Sequence, residues 1–250
     1  MPLNNKIALI TGSSSGIGRA VALSMAAAGA DVIINHPSPR EAAAANDVAE
    51  QIHAMGRRTL VIEADVADEQ AVQTMVERAT NALGRIDILV NNAGIAAAAP
   101  VHELDVAVWD RVLAVHLRGT FLMTRAVLPQ MYSRGYGRII NTASQLAYKG
   151  APGFTAYTAA KGAIISFTRS VALEIGARDI TINCIAPGAT HTPILNDVPA
   201  DVLEEIRKAI PLGRIAEVDD IAPSFVFLAG DGARHYQGQC LSPNGGDVFL

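Results

Sequence analysis

Lys6-Ile7-Ala8-Leu9-Ile10-Thr11-Gly12-Ser13-Ser14-Ser15-Gly16-Ile17-Gly18 is the stretch on which the fold turns. Its first half, Lys6–Thr11, is apolar without alternation, as expected of a strand buried on both faces of a parallel sheet. A helical pattern, Arg19–Ala28, follows the glycines. Strand, glycine turn and helix together make a nucleotide-binding start: glycine lets the backbone approach a pyrophosphate, and a helix N-terminus favours its negative charge. Gly12, Ser14, Ser15, Gly16, Ile17 and Gly18 are the candidate contacts. The spacing is G-x-x-x-G-x-G and departs from the general G-x-G-x-x-G fingerprint. Taken alone, it reads equally well as a glycine-rich turn that binds nothing. What decides for function lies more than a hundred residues downstream.

There Tyr157-Thr158-Ala159-Ala160-Lys161 places a phenol and an ammonium four apart, on one face of the expected helix Phe154–Ile175. A nearby cation favours phenolate and makes the tyrosine a better proton donor and acceptor near neutral pH. Ser144 ends the short apolar run Gly137–Thr142 and can aim its hydroxyl at the same place. Such a trio polarises a carbonyl and moves one proton. It carries no hydride, so a cofactor must.

Between these stretches, Asp31–Asn35, Thr59–Ala64 and Ile86–Val90 read as strands, and Glu41–Met55 and Glu69–Leu83 as helices. Asp68 is the expected N-cap of the latter helix and Gly84 its stop. The second strand ends in Asn35-His36-Pro37-Ser38-Pro39-Arg40. An acidic residue there would hold the ribose hydroxyls of NAD, and a basic one the extra phosphate of NADP. Arg40 and His36 point to NADP over NAD, with Asn35 a further contact; the same residues also read as a proline turn that binds nothing. Asn91-Asn92-Ala93-Gly94 at the fourth strand's exit suits both a tight turn and an adenosine contact. Leu104–Arg134 is a long helical pattern carrying Trp109, with a kink expected at Pro129. Thr181–Ile185 and Gln239–Ser242 are the last strands and Val218–Leu228 the last helix. Residues 189–210, irregular then helical, fit a substrate lid beyond a strand's carboxyl end. Strands alternating with helices give an α/β, Rossmann-type doubly wound parallel sheet of about seven strands in one domain, 1–250. Its carboxyl edge should gather Gly12, Asn92, Ser144 and Pro187.

Half of the 250 residues are hydrophobic and 18% are charged, which suits a compact core. A net charge of -4 and the lack of a basic stripe argue against nucleic acid as a partner. No apolar run reaches the roughly 20 residues of a membrane helix, and Met1–Lys6 is too polar for a signal peptide. Cys184 and Cys240, far apart in sequence and outside any CxxC, read as buried free thiols in a reducing cytoplasm, with a disulfide as the less favoured alternative. The histidines show no metal-ligand spacing, so no metal site is expected; those at 36, 53, 102, 191 and 235 read as surface or lid residues.

Together these motifs resemble the classical short-chain dehydrogenase/reductase family over essentially the whole chain. Thr11–Gly18 is similar to its coenzyme turn, Asp65 with Val66 to its adenine-binding pair, and Asn91–Gly94 to its sheet-stabilising segment. Ser144, Tyr157 and Lys161 are similar to its catalytic trio; Pro187-Gly188 with Thr190 and Thr192 is similar to the loop that holds the nicotinamide carboxamide. The resemblance implies an NAD(P)-dependent oxidoreductase interconverting a secondary alcohol and a ketone. Tyr157 would move the proton and Ser144 would bind the oxygen. Lys161 would lower the phenol's pKa and hold the nicotinamide ribose. Candidate substrates are 3-oxoacyl thioesters, sugars or polyols, and small ketones. The chain departs from the family at Val115-His116-Leu117-Arg118-Gly119-Thr120, where an asparagine that bends the helix and holds a relay water is usual. His116 is then a substitute relay or a mark of weakened proton exchange. The apolar end Val248-Phe249-Leu250, with the family's habit of packing its last helix and strand between subunits, implies a homotetramer, with a dimer next. A non-catalytic dinucleotide sensor on the same fold is the competing reading; His116 alone supports it.

Overall fold

The computed structural model describes residues 1–196 and 198–249. Asp197, within the expected lid, and Leu250, at the end of the apolar tail, lie outside the described residues. Seven parallel strands form one sheet in the order β3-β2-β1-β4-β5-β6-β7. They are β1 Ile7–Ile10, β2 Asp31–His36, β3 Thr59–Glu63, β4 Ile88–Asn91, β5 Tyr136–Thr142, β6 Asp179–Ile185 and β7 Cys240–Leu241. The helices are α1 Gly16–Ala27, α2 Ala42–Ala54, α3 Glu69–Leu83, α4 Val106–Leu113, α5 Gly119–Arg134, α6 Leu146–Lys149, α7 Thr155–Ile175, α8 Ala200–Ala209 and α9 Val218–Ala229.

The unbroken apolar run of β1 is explained by its two faces. Ala8 and Ile10 join a core with α1, α2 and α9, whereas Ile7 and Leu9 join the opposite core with α3, α5 and α7. Side chains alternate across a strand, so a strand covered on both faces must be apolar at every position. The strand order reverses between β1 and β4, and this switch point opens the crevice in which α/β sheets bind ligands. Helix α3 runs as its signals say: Asp68 accepts a hydrogen bond from the Ala71 N–H at 2.8 Å, and Gly84 closes the helix in a left-handed conformation, φ 97°.

The pattern Leu104–Arg134 is not one helix. It is α4 and α5 joined by a π-turn over Ala114–Arg118. The irregularity therefore sits at His116, while Pro129 lies inside α5. The short helix α6, directly after Ser144, is an element the sequence pattern does not announce.

Candidate active site

Ser144, Tyr157 and Lys161 converge beyond the carboxyl end of β5. Ser144 is buried and its Oγ accepts the Leu146 N–H at 3.1 Å, at the start of α6. It is near enough to the Tyr157 phenol to draw that group's pKa down. Lys161 Nζ lies 5.5 Å from the Tyr157 ring centroid and donates to the Thr142 carbonyl at 2.5 Å. Burial is the larger effect and pushes the Tyr157 pKa up, the neighbouring Ser144 offsetting this only in part. Burial also pushes Lys161 down to about 7. The expectation that the ammonium holds the phenol's pKa low is thus corrected: with the lysine itself largely desolvated, burial is the larger effect on both groups.

His116 is buried beside them, its ring 5.3 Å from that of Tyr157 and nearly perpendicular to it. Nε2 lies 2.7 Å from the Ile95 carbonyl and 3.0 Å from the Ile95 N–H, so either tautomer is satisfied there. Nδ1 is buried with no protein partner among the described residues. Burial first, and the Lys161 charge second, lower the imidazole's pKa to about 3, so it is neutral at working pH. Gly94 leaves room for the ring: a Cβ there would lie 2.5 Å from His116 Cε1.

The nucleotide end is a fitted cradle. Ser15 precedes α1 in an extended conformation and its side chain caps none of the helix's first N–H groups, which have no capping partner among the described residues. Unsatisfied donors at a helix N-terminus beside a glycine turn fit a pyrophosphate. Thr11 Oγ1 accepts from the N–H groups of Asn92 and Ala93, both at 3.0 Å. Asn92 Nδ2 donates to the carbonyls of Thr11 and Gly12 at 3.0 and 3.1 Å. Asn92 therefore braces the turn, with Ala93 packed against Gly12. Asn91 Nδ2 bonds Thr124 and Asn141 and ties β4 to α5 and β5. Thr192 approaches the turn: a Cβ on Gly16 would stand 3.5 Å from it. Thr190 donates to the Gly188 carbonyl at 2.9 Å, and Gly188 packs against Asn244.

Two expected contacts are corrected. Asn35 is buried and its amide is spent within the protein, accepting from the Gly12 N–H at 3.2 Å and donating to the Ala64 carbonyl at 2.9 Å. It shapes the turn and cannot also grip a ligand. His36, expected at the surface, is buried with Nδ1 2.8 Å from the Ser38 carbonyl. Arg40 is exposed and forms no ion pair with any described residue. One residue on, Glu41 accepts a hydrogen bond from Ser14 Oγ at 2.8 Å, which the reading of 35–40 passed over. Asp65 accepts from the Ala67 N–H and pairs with Arg111 of α4 at 2.8 Å; Val66 is buried against Gly119. A further cluster was missed altogether: Asp247 accepts from Gln145 Nε2 at 2.6 Å and from Lys149 at 2.6 Å, and so ties the chain's last segment to the residue after Ser144.

A nucleotide-binding α/β sheet with a serine, tyrosine and lysine at its carboxyl edge defines a class of nicotinamide-dependent oxidoreductases. Residues 12–247 match the family model described as enoyl-(acyl carrier protein) reductase. The chain belongs to the short-chain dehydrogenase/reductase family. It is 42% identical to (2S)-[(R)-hydroxy(phenyl)methyl]succinyl-CoA dehydrogenase subunit BbsD of Thauera aromatica, over 98% of each chain. It is 39% identical to cis-4-hydroxycyclohexanecarboxylate dehydrogenase of Sinomonas cyclohexanicum, over 96% of each. The crystal structure of a blue fluorescent protein from a metagenomic library, in complex with NADPH, superposes with a TM-score of 0.93 at 37% identity over 100% of both chains. The protein is an NAD(P)-dependent oxidoreductase that interconverts a secondary alcohol and a ketone.

Proposed function

We propose that Tyr157 gives its phenolic proton to the ketone oxygen in reduction and takes it back from the alcohol in oxidation, with Ser144 as second donor to that oxygen. The observation that carries this is the convergence of the buried Ser144 and of Tyr157 beside Lys161, whose Nζ lies 5.5 Å from the phenol ring's centroid. A nicotinamide bound in the crevice supplies or accepts the hydride. The raised pKa keeps Tyr157 protonated and ready to donate, and two converging hydroxyls stabilise charge growing on the oxygen. Lys161, buried beneath the phenol, stabilises the phenolate left after transfer. Neutral His116, whose Nδ1 lacks a protein partner, serves as relay in place of the usual asparagine.

The coenzyme would be held by the amides of Gly12 and Gly16–Gly18 with Ser14 and Ser15, by Asp65 and Val66, by Asn92–Gly94, by Pro187, Gly188, Thr190 and Thr192, and by Tyr157 and Lys161. NADP is the preferred form, with unpaired, exposed Arg40 facing its extra phosphate; Asn35 supports the turn only. Residues 1–250 act as one domain with a lid at 189–210. The lid's cations Arg207 and Lys208 are paired with Glu204 and Glu205, so it favours a substrate neutral at its reacting end. An acyl thioester meets this, and a succinyl-CoA derivative is named for one relative. The unbonded thiols Cys184 and Cys240 favour a reducing cytoplasm. Exposed apolar side chains support a homotetramer.

Tyr157→Phe tests the assignment. Turnover of NADPH with a panel of 3-oxoacyl thioesters and ketones should be lost, while the variant still binds NADPH by fluorescence titration. Full turnover in that variant would remove Tyr157 from the mechanism. NADPH binding by the wild-type protein without turnover of any substrate would favour the sensor.

A further inference from the structure

Gln145 follows Ser144 directly and is 4% exposed. Its backbone N–H donates to the Pro187 carbonyl at 3.0 Å. Its side-chain Nε2 donates to Asp247 at 2.6 Å, and Oε1 has no partner among the described residues. A carboxylate only accepts, which settles the end of the amide that faces it. Asp247 is thus the one polar anchor of a buried amide among the described residues. The same carboxylate accepts from Lys149 Nζ at 2.6 and 2.7 Å. Gln145 is the N-cap of helix α6 and Lys149 its last residue. Four residues cannot hold a helix unaided, because nucleation outweighs so few bonds. Asp247 therefore grips α6 at both ends. Helix α6 in turn sets Ser144: the Leu146 N–H donates to its Oγ at 3.1 Å and the Ala147 N–H to its carbonyl at 3.0 Å.

Asp247 is delivered by a turn that favours glycine. Gly245 and Gly246 both have left-handed backbone, φ 67° and 92°. Asn244 braces them, accepting from the Gly246 N–H and donating to the Val248 carbonyl, both at 2.8 Å. The turn meets the rest of the site through its main chain. The Gly188 N–H donates to the Pro243 carbonyl at 3.0 Å, and the Leu212 N–H, just past the expected lid, to the Gly245 carbonyl at 3.1 Å. Backbone holds those two segments, whereas the loop of Ser144 depends on one carboxylate.

We propose that Asp247 is a positioning residue of the reaction: through Gln145 and α6 it fixes the Ser144 hydroxyl where the substrate oxygen meets it. This rests on the reading of Ser144 as a donor to that oxygen. The Leu146 N–H takes one acceptor side of Oγ, which leaves the hydroxyl proton to donate away from α6. A shift of α6 moves that hydroxyl with it. The Gln145 arm carries the effect, being buried and next to the serine. Lys149 is 38% exposed against 7% for Asp247, and a pair with one open partner contributes little. Every contact lies within one chain and asks for no open surface, so packing of the chain's end between subunits is compatible with all of them.

The test is steady-state turnover of NADPH with the panel of 3-oxoacyl thioesters and ketones, read beside NADPH binding and light scattering. Asp247→Ala and Gln145→Leu should each lower kcat by about 10- to 100-fold, as misplacing a reacting group by about an ångström does. NADPH affinity and the mass of the assembly should stay as in wild type. Should Asp247→Ala not fold, Gln145→Leu carries the same comparison. Asp247→Asn keeps an acceptor for Gln145, and Lys149→Met keeps the carboxylate, so both should retain most of the turnover. The sharpest arm uses Ser144→Ala. Asp247→Ala or Gln145→Leu added to it should lower the residual kcat no further, because the hydroxyl they position is gone. Losses that multiply in those double variants, a fall in NADPH affinity matching the fall in kcat, or a loss of turnover that tracks dissociation of the assembly would each make Asp247 merely structural and overturn the proposal. Wild-type turnover in Asp247→Ala with Ser144→Ala impaired would overturn it while leaving the serine in place. Full turnover in Ser144→Ala would remove the serine from the mechanism, and this inference with it.

Discussion

His116 and Lys161 are the residues whose charge the fold most strongly controls. Unfolded, His116 titrates near 6.5; folded, at about 3. Between those values the unfolded chain binds the extra proton, so stability rises with pH from about 3 to 6.5 and is lost on acidification through that window. His116→Asn removes the effect. Its melting temperature should exceed that of wild type by more at pH 4.5 than at pH 8, and its turnover should be kept or raised. A variant that stays folded and loses activity would assign the imidazole a task that an amide cannot perform. Lys161 follows the same sign higher up. Its folded pKa of about 7 lies below the unfolded 10.5, so its burial costs most at and below neutral pH and the cost fades as pH rises towards 10. Lys161→Met should flatten the rise in melting temperature between pH 7 and 9. An unchanged slope in calorimetry would mean that the ammonium is better solvated than its burial implies. The trio itself was legible because phenol and ammonium four apart are bound to share a helix face. The balance between burial and charge was not, because burial is set by Thr142, His116 and other groups remote in sequence.

At the scale of elements, local signals read well and long-range ones poorly. Helix α3 carries its own start and stop in Asp68 and Gly84, and the reading gave both ends. The π-turn at Ala114–Arg118 inserts one extra residue into a continuous apolar pattern, and periodicity over thirty residues absorbs that without trace. Helix α6 is four residues, too short to show a period. Strand β7 shrank to Cys240–Leu241 because its partner β6 is met only there. The glycine turn was found from its residues, but not its brace: Asn92 and Thr11 lie 81 apart and meet only through β1–β4 pairing. That brace makes a sharp prediction. A Cβ on Gly18 would run into the Gly12 carbonyl and come within 2.5 Å of Asn92 Nδ2. Gly18→Ala should therefore cost on the order of 1–3 kcal/mol by overpacking and weaken NADPH binding, as read by urea unfolding and fluorescence titration. Unaltered binding would mean that the turn's inner face is not where the pyrophosphate lies. Gly162→Ala, in the open on α7, is the control and should do neither.

For the whole molecule, doubly wound order and the switch point followed from alternation of strand and helix, since parallel strands leave few alternative connections. The surface has its own logic. Leu173 on α7 is 84% exposed, Val106 on α4 is 72% exposed, and Phe121 on α5 is also open to solvent. On the other face of the sheet α9 exposes Phe227, while the chain's end exposes Phe249 at 90%, near Arg169 of α7. Large apolar groups in two separate regions are costly on a monomer. One two-fold interface covers one region; two different two-fold interfaces generate a closed tetramer of dihedral symmetry. Light scattering on the wild-type protein should therefore give four chains. Leu173→Glu places a charge on one region only and should reduce the assembly to dimers, with the far-ultraviolet circular dichroism unchanged. Phe227→Glu should act on the other region and also give dimers, and the two changes together should give monomers. A monomeric wild-type protein, or a tetramer indifferent to both changes, would show that these side chains face solvent in the working molecule.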